Sequence, residues 1–294
     1  MKIPNYTPFA GPGFQSPGIE KAKNAILPIC YENAPSYGTG SKYGPLYILE
    51  ASVQLEDFDE EASVELEKLD LYTLEPIFPS DDPERAVIEM KAAAKKILST
   101  KKFLLCLGGD HAISIGPIAA AAELYQHTGV LQIDAHLDLR DTWNGSRYNH
   151  ACVMRRVVDD IGIPAVQVGI RSFSKEEADL VRKRKFSPFY AHHIVPWDNS
   201  WIQQVIDRLP ENVYLTVDLD GLDPGVIPGT GTPEPGGLLY RQLLDLIRAL
   251  AARRNVIAAD INELMKIENT QVSEYTAARI ASKILIYCSN TNNS

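Results

Sequence analysis

The chain has 294 residues, of which 45% are hydrophobic and 23% charged, a composition that can bury one sizeable core and fits an ordinary globular protein. Its net charge of −9 argues against a nucleic-acid surface, which needs a basic face, and suits a small cationic molecule. No apolar run reaches membrane-spanning length and the opening Met1-Lys-Ile-Pro lacks a signal-peptide core, so a soluble cytoplasmic protein is expected.

In chain order, Asn24–Cys30 reads as the first strand. A helix follows over Pro83–Leu98, with Asp81 or Asp82 as its cap and proline at an early helical position. Next come a strand at 103–107, a helix over Ile115–Tyr125 and a strand at 130–134. A helix near Cys152–Asp160 leads to strand Ala165–Val168, a charged helix over Lys175–Lys185 and strand His193–Val195. The last third reads as helix Trp201–Leu209, strand 213–217, helix Leu239–Arg253, strand Val256–Ile261 and helix Val272–Tyr287. Strands alternating with helices predict one α/β domain over 1–294, a mainly parallel sheet covered on both faces. The acidic stretch Glu56–Glu67 reads as a solvated flank, and Ser289–Ser294 as a disordered tail. Four scattered cysteines (Cys30, Cys106, Cys152, Cys288) have no CxxC spacing, and Cys30 and Cys106, in apolar strand-like runs, read as buried free thiols, which favours a reducing cytoplasm.

Three of these strands end in acid and histidine. The strand at 103–107 runs into Gly108-Gly109-Asp110-His111, the strand at 130 into Asp134-Ala-His136-Leu-Asp138, and the strand at 213–217 into Asp218-Leu-Asp220. Side chains two apart on a strand share a face, so each motif should present its groups together. Like charges on a buried face are costly unless a cation lies between them. His111, Asp134, His136, Asp138, Asp218 and Asp220 are therefore candidate metal ligands. A lone Asp-x-Asp is usually a solvated loop; three such clusters, each at the end of an apolar strand, are a different matter. In an open α/β sheet, ligands collect at the carboxyl ends of strands. The glycines before Asp110 suit a crowded backbone.

The set holds four carboxylates, two imidazoles and no thiolate, which suits Mn²⁺ better than a structural zinc. Four carboxylates balance two divalent cations, and two such ions can acidify a shared water for attack on an electrophilic carbon.

These motifs resemble those of the arginase/agmatinase (ureohydrolase) family. The matching pieces are Gly-Gly-Asp-His (108–111), Asp-Ala-His-Leu-Asp (134–138), Thr-Val-Asp-Leu-Asp-Gly-Leu-Asp-Pro (216–224) and Pro-Gly-Thr-Gly-Thr-Pro-Glu-Pro-Gly-Gly (228–237), with Ser36–Pro45 similar to the family's early loop. The resemblance runs from about residue 20 to 287. It implies a three-layer arginase/deacetylase-type fold and two Mn²⁺ ions. His111 and Asp138 would hold one ion, His136 and Asp220 the other, and Asp134 and Asp218 would bridge. It also places a proton-shuttling histidine at His150 and a guanidinium-pairing carboxylate at Glu263, so the catalytic set becomes His150, Glu263 and Asp138. An imidazole suits proton delivery to a leaving amine, and a carboxylate suits a planar guanidinium. The chain departs from the family pattern at Ala112, Ala151 and Asn262, none of them an expected ligand.

The resemblance implies hydrolysis of a linear guanidino compound to urea and an amine, with agmatine to putrescine as the leading reading. Aminopropylagmatine, guanidinobutyrate, arginine and guanidine are alternatives; the segment Leu139–Asn149 is more similar to agmatinase-type loops than to arginase ones. A zinc deacetylase and an inactive metal-stabilised scaffold are more remote readings. The family implies a homo-oligomer, trimeric or hexameric. Gly229-Thr-Gly231 is no nucleotide fingerprint, because prolines at 228, 233 and 235 forbid the helix that phosphate binding needs. Gly40-Ser-Lys42 lacks P-loop spacing, His127 reads as a helix C-terminal residue, and His192-His193 as one ring inward and one outward.

Overall fold

The computed structural model describes residues 3–195 and 197–289. Its strands are β1 (Asn24–Ile29), β2 (Phe58–Asp59), β3 (Val64–Glu65), β4 (Leu71–Thr73), β5 (Phe103–Gly108), β6 (Thr128–Ile133), β7 (Ala165–Ile170), β8 (Phe189–Tyr190), β9 (Asn212–Asp218) and β10 (Asn255–Asn262). Eight of them form one sheet in the order β4-β1-β5-β10-β9-β6-β7-β8, and every pairing in it is parallel. The remaining two, β2 and β3, make a small antiparallel hairpin.

The helices are α1 (Gly44–Ser52), α2 (Pro83–Leu98), α3 (Ile115–Leu124), α4 (Val153–Arg155), α5 (Lys175–Arg184), α6 (Ser200–Asp207), α7 (Tyr240–Arg253) and α8 (Val272–Ser289). Alternate residues of each strand feed two cores. Ile26, Leu105, Leu131 and Leu215 pack with residues of α1, α6, α7 and α8, whereas Ala25, Leu104, Val130 and Tyr214 pack with α2 and α3. That is the expected three-layer arrangement, and both buried faces explain the continuous apolar strands. In α2 the Asp82 side chain accepts from Arg85 N at 2.8 Å and Pro83 follows it, so the expected cap is in place. All four cysteines are buried, and among the described residues no helix is long and apolar enough to cross a membrane.

Several expectations need correction. The strand expected at His193–Val195 lies earlier, at Phe189–Tyr190, and Ala191–His193 form a 3₁₀ turn. His192 and His193 are therefore both exposed, their rings 4.0 Å apart, because strand alternation does not apply in a turn. The helix near Cys152–Asp160 is a composite: a 3₁₀ turn at His150–Cys152, then α4, then a π-helical turn over Arg156–Ile161. α3 ends at Leu124, with Tyr125 as its C-cap, and His127 stands beyond it in a left-handed conformation (φ 52°). α1 was not expected; it is buried on most of its surface, which hides the helical period. Of the expected tail, Ser289 closes α8 and residues 290–294 lie outside the described ones.

The acidic stretch is also more than a solvated flank. Asp59 is buried beside the buried Lys283 of α8 at 2.7 Å, with Glu61 at 3.3 Å from the same ammonium. Glu61 further accepts from Tyr287 and, at 2.5 Å, from Arg241. Replacing Lys283 by Met strands the Asp59 carboxylate, so a loss of about 3–5 kcal/mol is expected in urea denaturation. The Tyr287 hydroxyl, then Lys283 and Arg241, overcome burial and hold the Glu61 carboxyl down to about 2 from its ordinary 4.5. A depressed carboxylate stabilises the fold above its unfolded value, so this contribution should fade as pH falls from 4.5 towards 2. Equal stability of Lys283→Met and the parent chain would show that the buried Asp59–Lys283 pair does not stabilise the fold.

Candidate metal centre and active site

Four adjacent strands, β5, β10, β9 and β6, deliver the candidate groups from their carboxyl ends. At the end of β5 the two glycines are required by close approach. A Cβ on Gly108 would lie 1.9 Å from Asn262 Oδ1, and one on Gly109 1.8 Å from the Tyr31 carbonyl oxygen. Asp110 then caps the 3₁₀ turn His111–Ser114, accepting from Ala112 N at 3.1 Å and from Asn33 N at 2.6 Å. Burial above all pushes its carboxyl up to about 7.

Strand alternation gathers only some of the other groups. β6 ends at Ile133, yet His136 still makes an isolated parallel bridge with Ser172, and Asp134 Oδ1 accepts from His136 N at 2.6 Å. Asp138 adopts a left-handed conformation (φ 51°). Only Asp218 belongs to β9; Asp220 sits in the 3₁₀ turn Leu219–Gly221, its amide donating to Asp218 Oδ1 at 2.9 Å. Asp218 thus caps the turn that carries Asp220, while Asp134 holds the amide of His136.

The six groups meet. His111 Nδ1 lies 3.0 Å from Asp138, 3.1 Å from Asp134 and 3.3 Å from Asp218, while His136 Nδ1 lies 3.1 Å from Asp220 and 3.5 Å from Asp134. Asp134 offers a different oxygen to each histidine, so it belongs to both His111–Asp134–Asp218 and Asp134–His136–Asp220. His111 Nδ1 is buried among three carboxylates, yet none stands in hydrogen-bonding geometry to it. An orphaned, converging donor set of this kind fits a cation held among the atoms.

The protonation tendencies agree with that fit. Burial, with the charges of Asp220 and Asp134, raises the Asp218 carboxyl far above the ordinary range, and burial and Asp134 push Asp138 up to about 7. Burial opposes charge on His111 too, but Asp134, Asp138 and Asp218 reverse this and raise it. Crowded like charges of this sort call for compensating positive charge. The donors, carboxylate and imidazole without thiolate, suit divalent ions of the Mn²⁺ type.

A cavity of about 370 Å³ opens over the centre, bounded by Ser36, Tyr37, Trp143, His150, Phe173 and Glu263 among others. His150 Nε2 lies 2.8 Å from Ser36 Oγ, which also accepts from Trp143 Nε1 at 3.1 Å; His150 Nδ1 is buried without a partner. Burial, and then the positive charges on His111 and His136, lower the His150 imidazole to about 4. Glu263 follows β10 in a left-handed conformation (φ 66°), and its Oε1 accepts from His111 N at 2.7 Å. Burial, then Asp218 and Asp110, raise its carboxyl well above the usual range. An uncompensated carboxyl at a cavity wall is a seat for a cation.

Arg140 also lines the cavity; its guanidinium stacks 4.2 Å from the Trp143 ring and lies 3.9 Å from the Glu177 carboxylate, which offsets part of its charge. Ala151 N donates to Asn149 Oδ1 and Ala112 N to Asp110 Oδ1, so these two departures leave the turn caps intact. Asn262 is buried. Sequence reading missed the polar groups behind the ligands. Gln132 donates to Asp134 Oδ2 at 2.7 Å and accepts from Gln167 at 2.6 Å, and Thr216 contacts His111 Nε2 at 2.8 Å. A signal existed: Gln132, Thr216 and Asp260 are polar residues inside otherwise apolar strands.

Residues 22–287 match the sequence profile described as the arginase family. Over 271 residues the chain is 39% identical to the N(1)-aminopropylagmatine ureohydrolase of Synechocystis sp., covering 89% of this chain and 88% of the relative. It is 32% identical to an agmatinase of Bacillus cereus, covering 92% and 93% of the two chains. The solved agmatine ureohydrolase of Thermoplasma volcanium superposes with a TM-score of 0.87 at 30% identity, over 97% of this chain and 95% of that one.

Proposed function

The chain belongs to the arginase family and is a ureohydrolase acting on guanidino C–N bonds, and from that premise we propose that its substrate is N(1)-aminopropylagmatine, released as urea and spermidine. The observation that carries this choice is the relatives' order: the aminopropylagmatine ureohydrolases of Synechocystis and Thermus reach 39% and 36% identity, against 32% for the agmatinase of Bacillus cereus. The cavity mouth supports it. Tyr37 is 84% exposed and Phe173 40%, so both can offer ring faces to the secondary and terminal ammonium groups of a long polyamine. Agmatine, giving putrescine, is the second reading, favoured by the agmatinases that match over nearly the whole chain.

His111, Asp134, His136, Asp138, Asp218 and Asp220 are the residues that would hold two Mn²⁺ ions. Such a pair, when bound, supplies an acidified water and neutralises charge developing at the reacting carbon. Glu263 pairs with the substrate guanidinium at the cavity wall and fixes the plane of the carbon under attack. His150, lowered to about 4 by burial and its cationic neighbours, stands neutral near pH 7. It can therefore accept a proton from the attacking water and pass it to the departing nitrogen. The water oxygen bonds to the guanidino carbon, the bond from that carbon to the alkyl nitrogen breaks, and urea and a free amine result. Ser36 holds the His150 ring through Nε2.

The test is urea release by the Mn²⁺-loaded protein from aminopropylagmatine, agmatine, arginine, guanidinobutyrate and guanidine. The expected result is a kcat/KM for aminopropylagmatine at least about tenfold above agmatine, the discrimination worth about 1.4 kcal/mol of extra contact. A reversed order selects agmatine. Turnover of the carboxylate-bearing guanidines alone would overturn both readings.

A further inference from the structure

Behind His111, on the side away from the carboxylates, lies a buried polar cluster that the reaction scheme does not use. Asp260 in β10 is fully buried and receives three donors: Thr216 Oγ1 at 2.6 Å, Asn262 Nδ2 at 2.6 Å and Tyr214 OH at 2.8 Å. Among the described residues no Lys or Arg stands within ion-pair distance of it. Asn262 Nδ2 can only donate, so Asp260 Oδ1, the oxygen it shares with Thr216, acts as an acceptor. Thr216 has one hydroxyl proton, and at 2.6 Å from Asp260 that proton is committed. The contact between Thr216 Oγ1 and His111 Nε2, 2.8 Å long, then needs its proton from the ring. The other ring nitrogen, Nδ1, is the one that faces Asp134, Asp138 and Asp218.

We propose that Asp260, through Thr216, is the positioning device of one metal position: it keeps a proton on His111 Nε2 and so presents the Nδ1 lone pair to the ion. Asn262 belongs to the same device. It donates to Asp260 and to Ser114 Oγ (3.1 Å), and its other amide atom packs where only a glycine at 108 leaves room. This gives the buried departure at position 262 a task, which an apolar side chain could not perform. His136 is held differently. Its side chain is 28% exposed, and among the described residues no side chain hydrogen-bonds its Nε2. The device therefore serves one of the two positions and not the other. Imidazole ligands oriented through their second nitrogen commonly lose ten- to hundredfold in metal affinity when that partner goes.

The inference rests on the two-ion reading above, and the test separates them. Metal-free full-length protein is titrated with Mn²⁺ and bound metal is counted per chain by equilibrium dialysis, with far-UV circular dichroism as the fold control. The parent chain should bind two ions. Thr216→Val should weaken one ion by about 10–100-fold while leaving the other within a few-fold, and Thr216→Ser should restore parent behaviour. Should Thr216→Val not fold, Asn262→Ala carries the same one-site expectation at a smaller, several-fold size. Two ions bound by Thr216→Val as tightly as by the parent would overturn the inference while leaving the two-ion reading intact. So would a Thr216→Ser as weak as the valine variant. A parent chain that binds no Mn²⁺ would overturn the two-ion reading itself, and this inference with it.

Discussion

Asp134→Ala should empty both metal positions and reduce urea release by more than about 10³-fold. The reason is geometric: among the described residues Asp134 is the one side chain with an oxygen near each histidine, Oδ2 at 3.1 Å from His111 Nδ1 and Oδ1 at 3.5 Å from His136 Nδ1. The two clusters share it. Removing it leaves His111 and His136 buried or half-buried without their common counter-charge, and leaves Gln132 with an unmet donor. Metal polarisation is worth several kcal/mol of barrier, and each 1.36 kcal/mol is tenfold in rate, hence the order of 10³. Metal content per chain and steady-state urea release check it together. A variant that retains two ions and turns over within tenfold of the parent would remove Asp134 from the centre.

His150→Ala should lower kcat by about 10²–10⁴-fold, the usual worth of a positioned proton-transfer group, with KM changed only a few-fold and metal content unchanged. His150 touches the cavity but none of the metal-facing atoms, and its ring is tied to Ser36 Oγ at 2.8 Å. Burial and its cationic neighbours lower its basicity, so on the proposed scheme it would act as acceptor first and donor second. A large rise in KM with kcat preserved would instead make it a binding residue. No change in either constant would leave the leaving amine to be protonated by solvent.

Much of this site was legible in the sequence because its chemistry is local. His111, Asp134, His136, Asp138, Asp218 and Asp220 each sit within a few residues of a strongly apolar strand, and apolar strands are easy to read. All six do converge: the chain after β6 stays bridged to its neighbour at His136, whereas Asp220 departs from strand alternation in a turn capped by Asp218. The neighbourhood of Lys283 was illegible for the opposite reason. An acidic run at 56–67 looks solvated until a lysine more than two hundred residues later is found buried against it. Likewise Thr216 and Asp260 are unremarkable singly, and only adjacent, parallel β9 and β10 place them side by side.

By itself the sequence determined the candidate ligand types, their order, the strand–helix alternation and the family resemblance, since each depends on residues close together in the chain. The tertiary structure alone decided that β10 runs between β5 and β9, which sets Glu263 against the His111 amide and Asp260 behind the His111 ring. Strand order of that kind arises from burying both faces of the sheet against helices from distant segments. No local pattern encodes it, and the second side of His111, on which the ligand's proton depends, exists only once those faces have closed.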